Sequence, residues 1–205
     1  MTPPSGTAAP AATSSRLPGA IGLVAGAIGV VAGLVLILYP AAVDEDQYSY
    51  PFGATGFAIS QIVLLVRDLG LAILLASLWS SGAIGRSRLG RVGVAGSVLA
   101  MVALAVLEAV SIIAEDDIDV GAAYGLASFA IGLFAVLAGI AVLRAKIWTG
   151  RRRYLPLSLG VYVFVPMTPG ILAGYVVEQL VIAGWMVLFA VLGWVQVNAA
   201  TRTAP

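Results

Sequence analysis

Residues 61–79 read QIVLLVRDLGLAILLASLW, and this stretch decides the fold class. A helix rises about 1.5 Å per residue, so roughly 20 apolar residues cross the ~30 Å hydrocarbon layer of a bilayer. The stretch is long and apolar enough for that crossing, yet Arg67 and Asp68 stand side by side at its centre. Charged residues are costly at this depth, so what surrounds them bears directly on function.

The composition of the whole chain also indicates a membrane protein. Of its 205 residues, 60% are hydrophobic and 10% are charged, and the mean hydropathy is +1.03. A soluble domain of this size cannot bury so much apolar surface. The chain has no cysteine and no histidine. These absences exclude disulfides, thiol redox chemistry, haem ligation by histidine, Cys2His2 zinc sites and catalytic Ser-His or Cys-His pairs.

The basic residues and the known motifs narrow the function further. Ten of the basic residues are arginine and one, Lys146, is lysine, a bias that we attribute to a bacterial genome rich in G and C. The net charge at pH 7 is +1, which gives no electrostatic case for a nucleic-acid partner. We find no HExxH, no GxSxG with a histidine partner, no Walker sequence and no aspartate-rich metal motif inside a span. The sequence therefore predicts no enzymatic chemistry, no metal and no cofactor.

The hydropathy pattern predicts one all-α transmembrane domain, residues 19–198, with a short tail at each end. Its six spans cover residues 19–39, 55–79, 92–114, 121–143, 154–172 and 178–198. Residues 1–18, rich in Pro, Ala, Ser and Thr, are predicted to form a disordered cytoplasmic tail, and residues 199–205 a second short tail. A signal peptide is the alternative for the first span. That span is, however, longer than the usual ~7–15-residue signal core and is followed by no convincing small-x-small cleavage site.

The fifth span contains two prolines in the segment PMTPG, residues 166–170. Ending the span at these prolines would leave it too short to cross the bilayer, so the turn between the last two spans is predicted at 173–177.

The charges of the loops predict the orientation. The tails and the loops after the second and fourth spans hold ten of the eleven basic residues: Arg16, Arg86, Arg88, Arg91, Arg144, Lys146, Arg151, Arg152, Arg153 and Arg202. The alternate loops hold acidic residues without any basic residue: Asp44, Glu45, Asp46, Glu115, Asp116, Asp117 and Asp119. The positive-inside rule therefore predicts a multi-pass protein of the cytoplasmic (inner) membrane with both termini in the cytoplasm. We interpret the acidic loop as topology-setting, and RRRY at 151–154 first as an interfacial anchor and second as a contact for anionic lipid.

Two spans carry stripes of small residues on one helix face. The stripe of the first span consists of Gly19, Gly22, Gly26, Gly29 and Gly33, and that of the fourth consists of Gly121, Gly125, Ser128, Gly132, Ala135 and Gly139. Small residues let helices approach closely in lipid, where no hydrophobic force drives association, so both stripes are predicted to be packing seams. Packing within one bundle is the favoured interpretation, and a homodimer or a membrane-complex partner is the alternative. The first and fourth spans, which begin the two three-span halves, carry similar stripes, and this similarity also suggests an inverted repeat.

The charged residues inside the spans form the candidate site. Adjacent helical residues point about 100° apart, so we predict that Arg67 and Asp68 do not pair ideally with each other. Side chains lean toward the helix N-terminus, which lifts Arg67 toward the depth of Glu108 and predicts an Arg67–Glu108 ion pair. Gln61 shares a helix face with Asp68, and Ser60 shares one with Arg67, so both are included in the predicted polar network.

Two further features lie near this network. Glu178 is predicted at the start of the sixth span, where a carboxylate favours a helix N-terminus and needs no functional explanation. Pro166 and Pro169 cannot donate to the carbonyls of Tyr162 and Val165, so these carbonyls are predicted to offer acceptors at a similar depth.

Charge balance leaves two functional interpretations. With Arg67, Asp68 and Glu108 ionised, the group carries a net charge of −1, which requires a protonated carboxyl, a cation or a water-filled cavity. The leading interpretation is a structural or accessory membrane component in which this cluster fixes the helix arrangement. The alternative is a small proton-coupled secondary transporter with Asp68 or Glu108 as the proton site and Arg67 as counter-ion. A transporter predicts a water-accessible cavity at the depth of the cluster, whereas a scaffold predicts dry and mutually bonded groups.

Overall fold

The computed structural model describes residues 16–45, 47, 49–114 and 120–201, and the ordered elements in these ranges are helices. Four long helices come first: α1 (Arg16–Leu38), α2 (Ala54–Ser80), α3 (Arg88–Ala114) and α4 (Gly121–Ala145). The fifth span (Gly150–Ile171) is a composite of a 3-10 turn (Gly150–Tyr154), α5 (Leu155–Tyr162), a π-helical segment (Val163–Met167) and α6 (Thr168–Ile171). The last span is α7 (Tyr175–Thr201).

The predicted all-helical fold with six spans is confirmed, because six helices are long and apolar enough to cross a membrane. Several helices extend beyond the predicted spans. α1 begins at Arg16 and α3 at Arg88, so residues predicted for a tail and a loop belong to helices. A helix can continue past the hydrocarbon layer where arginine side chains reach toward the headgroups. Most of the predicted N-terminal tail, residues 1–15, and the last four residues lie outside the described ranges.

The glycine stripe of α1 is a close packing surface against α7. A side-chain carbon added at Gly26 would lie 2.6 Å from the backbone nitrogen of Ala190, and one at Gly29 would lie 2.5 Å from the Met186 side chain. At Gly33 the corresponding neighbour is Ala183, 3.1 Å away. The stripe therefore packs within the chain, where the absence of side chains lets the two helices approach each other closely.

Neighbouring spans pack as an antiparallel ring. α1 contacts both α2 and α7, α2 contacts α3, α3 contacts α4, and α4 and α7 both contact α5. The pairings run in opposite directions along each pair, as when Gly22 meets Leu74 while Ala25 meets Gly70. α1 and α7 thus close a ring of six spans that follows the order of the chain.

Antiparallel packing gives the bundle two chemically different ends. The start of α1, the end of α7 and the loops after α2 and α4 lie together; we call this the basic end, because those loops contain Arg86 and Arg152. The opposite end has the loops after α1 and α3 and the turn at 172–174, and we call it the acidic end because it carries Asp44 and Glu45.

The fifth span stays helical through its prolines by changing its helix type. Pro166 lies inside the π-helical segment, and the hydroxyl of Thr168 donates to the carbonyl of Val163 at 2.7 Å. The backbone N–H of Thr168 donates to the same carbonyl, and such a local change to π-helical geometry is one way in which a membrane helix accommodates proline. The turn that follows lies at 172–174, slightly earlier than predicted, because Gly174 adopts the left-handed backbone (φ +106°) and reverses the chain there.

Candidate functional site: a central polar cavity

A cavity of about 360 Å³ lies inside the ring of spans, and its wall includes the buried polar residues Gln61, Arg67, Glu108 and Gln179. Every span contributes to its wall: Gly29 and Gly33 from α1, Gln61 and Arg67 from α2, Leu104 and Glu108 from α3, Gly121, Tyr124, Gly125 and Ser128 from α4, Met167 and Ile171 from the fifth span, and Glu178, Gln179, Trp185 and Met186 from α7. We call this space the central cavity. Its volume falls within the range of ordinary small-molecule sites.

The central cavity extends from the middle of the bundle toward the acidic end. Its wall includes residues in the first turns of α4 and α7, Gly121 and Glu178, and reaches down to Arg67 near the middle of α2. Beyond Arg67, toward the basic end, the interior is filled by side chains with no exposed surface. These side chains are Leu71, Leu74, Phe189 and Leu192. The cavity is therefore a one-sided pocket with a packed apolar floor.

Arg67 and Asp68 pair directly, which corrects the sequence prediction that they would not. The Nε of Arg67 donates to Oδ1 of Asp68 at 2.7 Å, and the two residues are 8% and 1% exposed. Adjacent positions point about 100° apart, but the arginine side chain is long enough to fold back toward its neighbour. Asp68 is buried outside the cavity wall, so its carboxylate neutralises Arg67 from behind.

The structure also places Arg67 beside Glu108, as predicted, although not in hydrogen-bonding contact. A terminal nitrogen of Arg67 lies 3.9 Å from Oε1 of Glu108, which is close enough for ionic attraction and too far for a hydrogen bond. The other carboxylate oxygen, Oε2, accepts a hydrogen bond from the Tyr124 hydroxyl at 2.8 Å. Tyr124 is in turn 3.1 Å from the hydroxyl of Ser111. Glu108 is thus held on one side by α4 and keeps acceptor capacity on the side of Arg67.

Gln61 belongs to the cavity and Ser60 does not. Gln61 is 6% exposed, lies on the cavity wall, and its carbonyl oxygen Oε1 has no hydrogen-bond partner among the described residues. A buried acceptor without a partner loses the hydrogen bond that it would make in water. Ser60 instead donates to the Phe57 carbonyl at 2.7 Å and lines an apolar groove between α1 and α2. The predicted network therefore keeps Gln61 and loses Ser60.

The stripe of α4 divides into two parts, only one of which packs. At Gly132 an added side-chain carbon would lie 2.8 Å from Val163, and at Gly139 it would meet the backbone of Leu157, so this part packs on the fifth span. Gly121 and Gly125 instead line the central cavity, and nothing lies within 4 Å of a carbon added at Gly125. The prediction of one continuous seam is therefore wrong at Gly125, where no neighbour is close enough to pack.

The fifth span contributes apolar side chains to the cavity. Its wall residues are Met167 and Ile171. Tyr162 and Val165, whose carbonyls were predicted to contribute acceptors, are not on the wall, and 65% of Val165 is exposed on the outer surface of the bundle. The π-helical segment rotates the following turn, so a prediction made for a regular helix does not place these carbonyls correctly.

Sequence reasoning missed two uncharged polar residues of the site, Tyr124 and Gln179. Tyr124 holds Glu108, and Gln179 follows Glu178 on the wall of the cavity, near the start of α7. A search of the spans for uncharged hydrogen-bonding side chains, as well as for ionisable ones, would have selected both. The same search would have found Gln196, whose carbonyl oxygen accepts from Ser77 at 2.6 Å near the basic end.

The wall of the cavity carries oxygen and nitrogen groups from several helices. Within the described residues there is no cluster of three or more Asp, Glu, His or Cys side chains that could hold a metal ion. The polar groups on the wall are one guanidinium, two carboxylates, two amides, a phenol, the hydroxyl of Ser128 and the indole N–H of Trp185. Comparisons with protein-family models, with curated proteins and with solved structures found no match to this chain, so function is inferred from the chemistry of this cavity.

Proposed function

We propose that the chain is a multi-pass membrane protein that binds a small solute in its central cavity and carries it through the bundle. The observation that supports this most is that the cavity reaches Arg67 and Glu108. A purely structural cluster is expected to be dry and fully bonded within itself. Asp68 is buried away from the cavity, although only its Oδ1 has a partner among the described residues, whereas Arg67, Glu108 and Gln61 lie on the wall of a 360 Å³ space. The alternative interpretation from the sequence is therefore better supported than the leading one.

The proposed orientation places the basic end in the cytoplasm of a bacterial inner membrane. The distribution of basic residues supports this placement through the positive-inside rule. The central cavity then faces outward and receives its solute from the external side, while the apolar floor closes it toward the cytoplasm. A pocket closed at one side only has the shape of one access state of a carrier, in which the two sides open alternately.

Binding without catalysis is part of the same proposal. The wall contains carboxylates, amides, a phenol and an arginine, but the chain has no histidine or cysteine that could act as a general base or a thiol nucleophile. The proposal also needs no partner protein. The glycine face of α1, which the sequence offered as a docking surface, is already covered by α7.

Charge balance supports a coupled proton at Glu108. Glu108 faces Arg67 from α2 and Tyr124 from α4, Asp68 lies behind Arg67, and Glu178 of α7 is on the same wall. One guanidinium does not balance three carboxylates, so a bound proton or cation is favoured at Glu108, which is buried and lines the cavity. Infrared difference spectra in lipid should show a carboxyl band that changes with bulk pH and disappears in Glu108→Gln but persists in Glu178→Gln. Identical spectra for Glu108→Gln and the unmodified protein would contradict the coupled proton.

Water access to the cavity is the decisive test, and the natural absence of cysteine makes it straightforward. Single cysteines are introduced at Gly125 and Ser128 on the cavity wall, and at Leu126 and Phe129 as neighbours of matched depth that are exposed on the outer face, at 73% and 43%. The protein is reconstituted in lipid nanodiscs and treated with a neutral water-soluble methanethiosulfonate. A thiol must ionise to react, so a cysteine in lipid reacts slowly.

We expect Gly125→Cys and Ser128→Cys to react at least roughly tenfold faster than their neighbours, because thiolates form in water and not in hydrocarbon. Gly125 has room for the added side chain, so Gly125→Cys does not depend on a repacked helix. Equal rates for Ser128→Cys and Phe129→Cys would show that the wall is dry at this depth. That result would favour a structural role for Arg67, Asp68 and Glu108.

A further inference from the structure

The charges around the central cavity are predominantly negative. Arg67 is the one basic side chain on the wall within the described part of the chain, and Glu108 and Glu178 are its acidic counterparts. The charge of Arg67 is already shared, by Asp68 at 2.7 Å and by Glu108 at 3.9 Å. One positive charge therefore stands against three negative ones. A solute with a positive charge completes this balance, and an anion makes it worse.

The sequences of the two loops at the acidic end have the same sign of charge. The loops after α1 and α3 contain Asp44, Glu45, Asp46, Glu115, Asp116, Asp117 and Asp119 and no basic residue. Clustered charge of one sign raises the local concentration of counter-ions and speeds their association. The acidic end therefore attracts the class of solute that the wall favours.

The cavity also has a buried acceptor without a donor in the described part of the chain and a carboxylate oxygen outside hydrogen-bonding distance of Arg67. The Oε1 of Gln61 is buried without a partner among the described residues, and the Oε1 of Glu108 lies beyond hydrogen-bonding distance of Arg67. Both residues line the same space. A solute that carries N–H groups can satisfy a neutral and a charged acceptor together.

The remainder of the wall suits an organic group. Leu104, Met167, Ile182 and Met186 are apolar, and Trp185 is fixed by a hydrogen bond from its indole nitrogen to the Leu159 carbonyl at 3.0 Å. A fixed aromatic ring with thioether neighbours favours an apolar or cationic solute over a hydrated inorganic ion. A bare metal ion is disfavoured in addition by the lack of a cluster of ligands among the described residues.

We propose that the central cavity selects a small organic amine in its protonated form, with Glu108 as its ion-pair partner and Gln61 as the neutral acceptor of its N–H groups. This inference rests on the proposed solute-binding function and names the class of solute. Binding of the ammonium group at Glu108 displaces the proton from that carboxyl, so amine and proton occupy the site in alternation.

The test uses four probes that share one ring: benzylamine, benzyltrimethylammonium, benzyl alcohol and benzoate. Each is added to Gly125→Cys protein in nanodiscs, and the rate of labelling by the neutral reagent is measured as the probe concentration rises. We expect benzylamine to slow labelling at a concentration about tenfold lower than benzyltrimethylammonium, since only benzylamine donates to Gln61. Benzyl alcohol and benzoate should need concentrations at least about a hundredfold higher, because neither supplies the positive charge.

Variants separate the two acceptors. In Gln61→Leu the advantage of benzylamine over the quaternary probe should fall from about tenfold to within about twofold, whereas in Glu108→Gln both cations should lose protection by about tenfold or more. Glu178→Gln serves as a second acidic variant near the mouth, where partial exposure should limit the loss to about threefold. All variants are first compared by thermal stability, so that an unfolded variant is not read as a loss of binding.

The outcomes distinguish this inference from the proposed function. Stronger protection by benzoate, or no protection by any probe while Gly125→Cys and Ser128→Cys still react rapidly, overturns the amine assignment and leaves the water-filled cavity in place. An unchanged ratio of benzylamine to benzyltrimethylammonium in Gln61→Leu overturns the role of Gln61. Slow labelling of Gly125→Cys and Ser128→Cys without any probe contradicts the proposed function itself.

Discussion

The two halves of the bundle use similar residues for opposite purposes. Toward the basic end, glycines let helices meet and large side chains such as Leu71, Leu74 and Phe189 fill the interior without exposed surface. Toward the acidic end, Gly121 and Gly125 line the central cavity together with polar side chains, and nothing lies within 4 Å of a carbon added at Gly125. Small residues therefore do not by themselves mark a seam. A small residue packs where the facing helix stays close to it and lines a cavity where the facing helix diverges.

Buried polar groups differ between the halves in the same way. Near the basic end, the single O–H of Ser77 lies within hydrogen-bonding distance of the Leu74 carbonyl and of Oε1 of Gln196, in a contact away from the central cavity, and Nε2 of Gln196 has no partner among the described residues. In the acidic half, the unpartnered Oε1 belongs to Gln61, which lies on the cavity wall together with Arg67 and Glu108. The first arrangement is typical of interhelical packing, and the second of a site that receives a ligand.

The largest expected effect comes from breaking the buried ion pair between Arg67 and Asp68. Arg67→Met leaves the Asp68 carboxylate buried without a counter-ion, so we expect a loss of roughly 3–5 kcal/mol of stability. The double variant Arg67→Met with Asp68→Asn removes that charge and should recover a large part of the loss. Thermal unfolding in detergent or nanodiscs measures both. If the double variant is no more stable than the single one, Asp68 is not held by Arg67 and the arrangement described for the cavity floor is wrong.

Part of this site could be predicted from the sequence, because the sequence indicates how deep in the membrane a side chain lies. Span length and the lean of side chains fix how deep Arg67 and Glu108 lie, so their proximity follows from one helix at a time. Tyr124 and Gln179 could not be placed in this way, because their role depends on the order of helices around the ring. The Arg67–Asp68 bond was missed for a different reason: backbone geometry sets the Cβ direction, while a long side chain can turn back.

The next largest effect contrasts a packed glycine with a cavity glycine. Gly26→Val places a branched side chain 2.6 Å from the backbone of Ala190, which cannot move aside as a side chain can, and should cost roughly 1–3 kcal/mol or more. Gly125→Val enters open space and should change stability by less than about 0.5 kcal/mol. Thermal unfolding of the two variants side by side tests the distinction between the halves. Similar losses in both would mean that the α4 stripe packs along its whole length.

The smallest expected effect concerns the buried glutamines Gln196 and Gln61. We expect Gln61, and not Gln196, to control selectivity for the amine. Gln196→Leu removes the contact with Ser77 together with an Nε2 that has no partner among the described residues, and Ser77 keeps its bond to Leu74, so stability should change by less than about 1 kcal/mol while amine protection at Gly125→Cys is unchanged. Gln61→Leu removes an acceptor that has no partner among the described residues, so stability should stay level or rise slightly while selectivity for N–H groups is lost. Both substitutions replace a buried amide by an aliphatic group of similar size, so each serves as the control for the other. A loss of stability without a change of selectivity in Gln61→Leu would assign Gln61 to packing and remove the main chemical difference between the two halves.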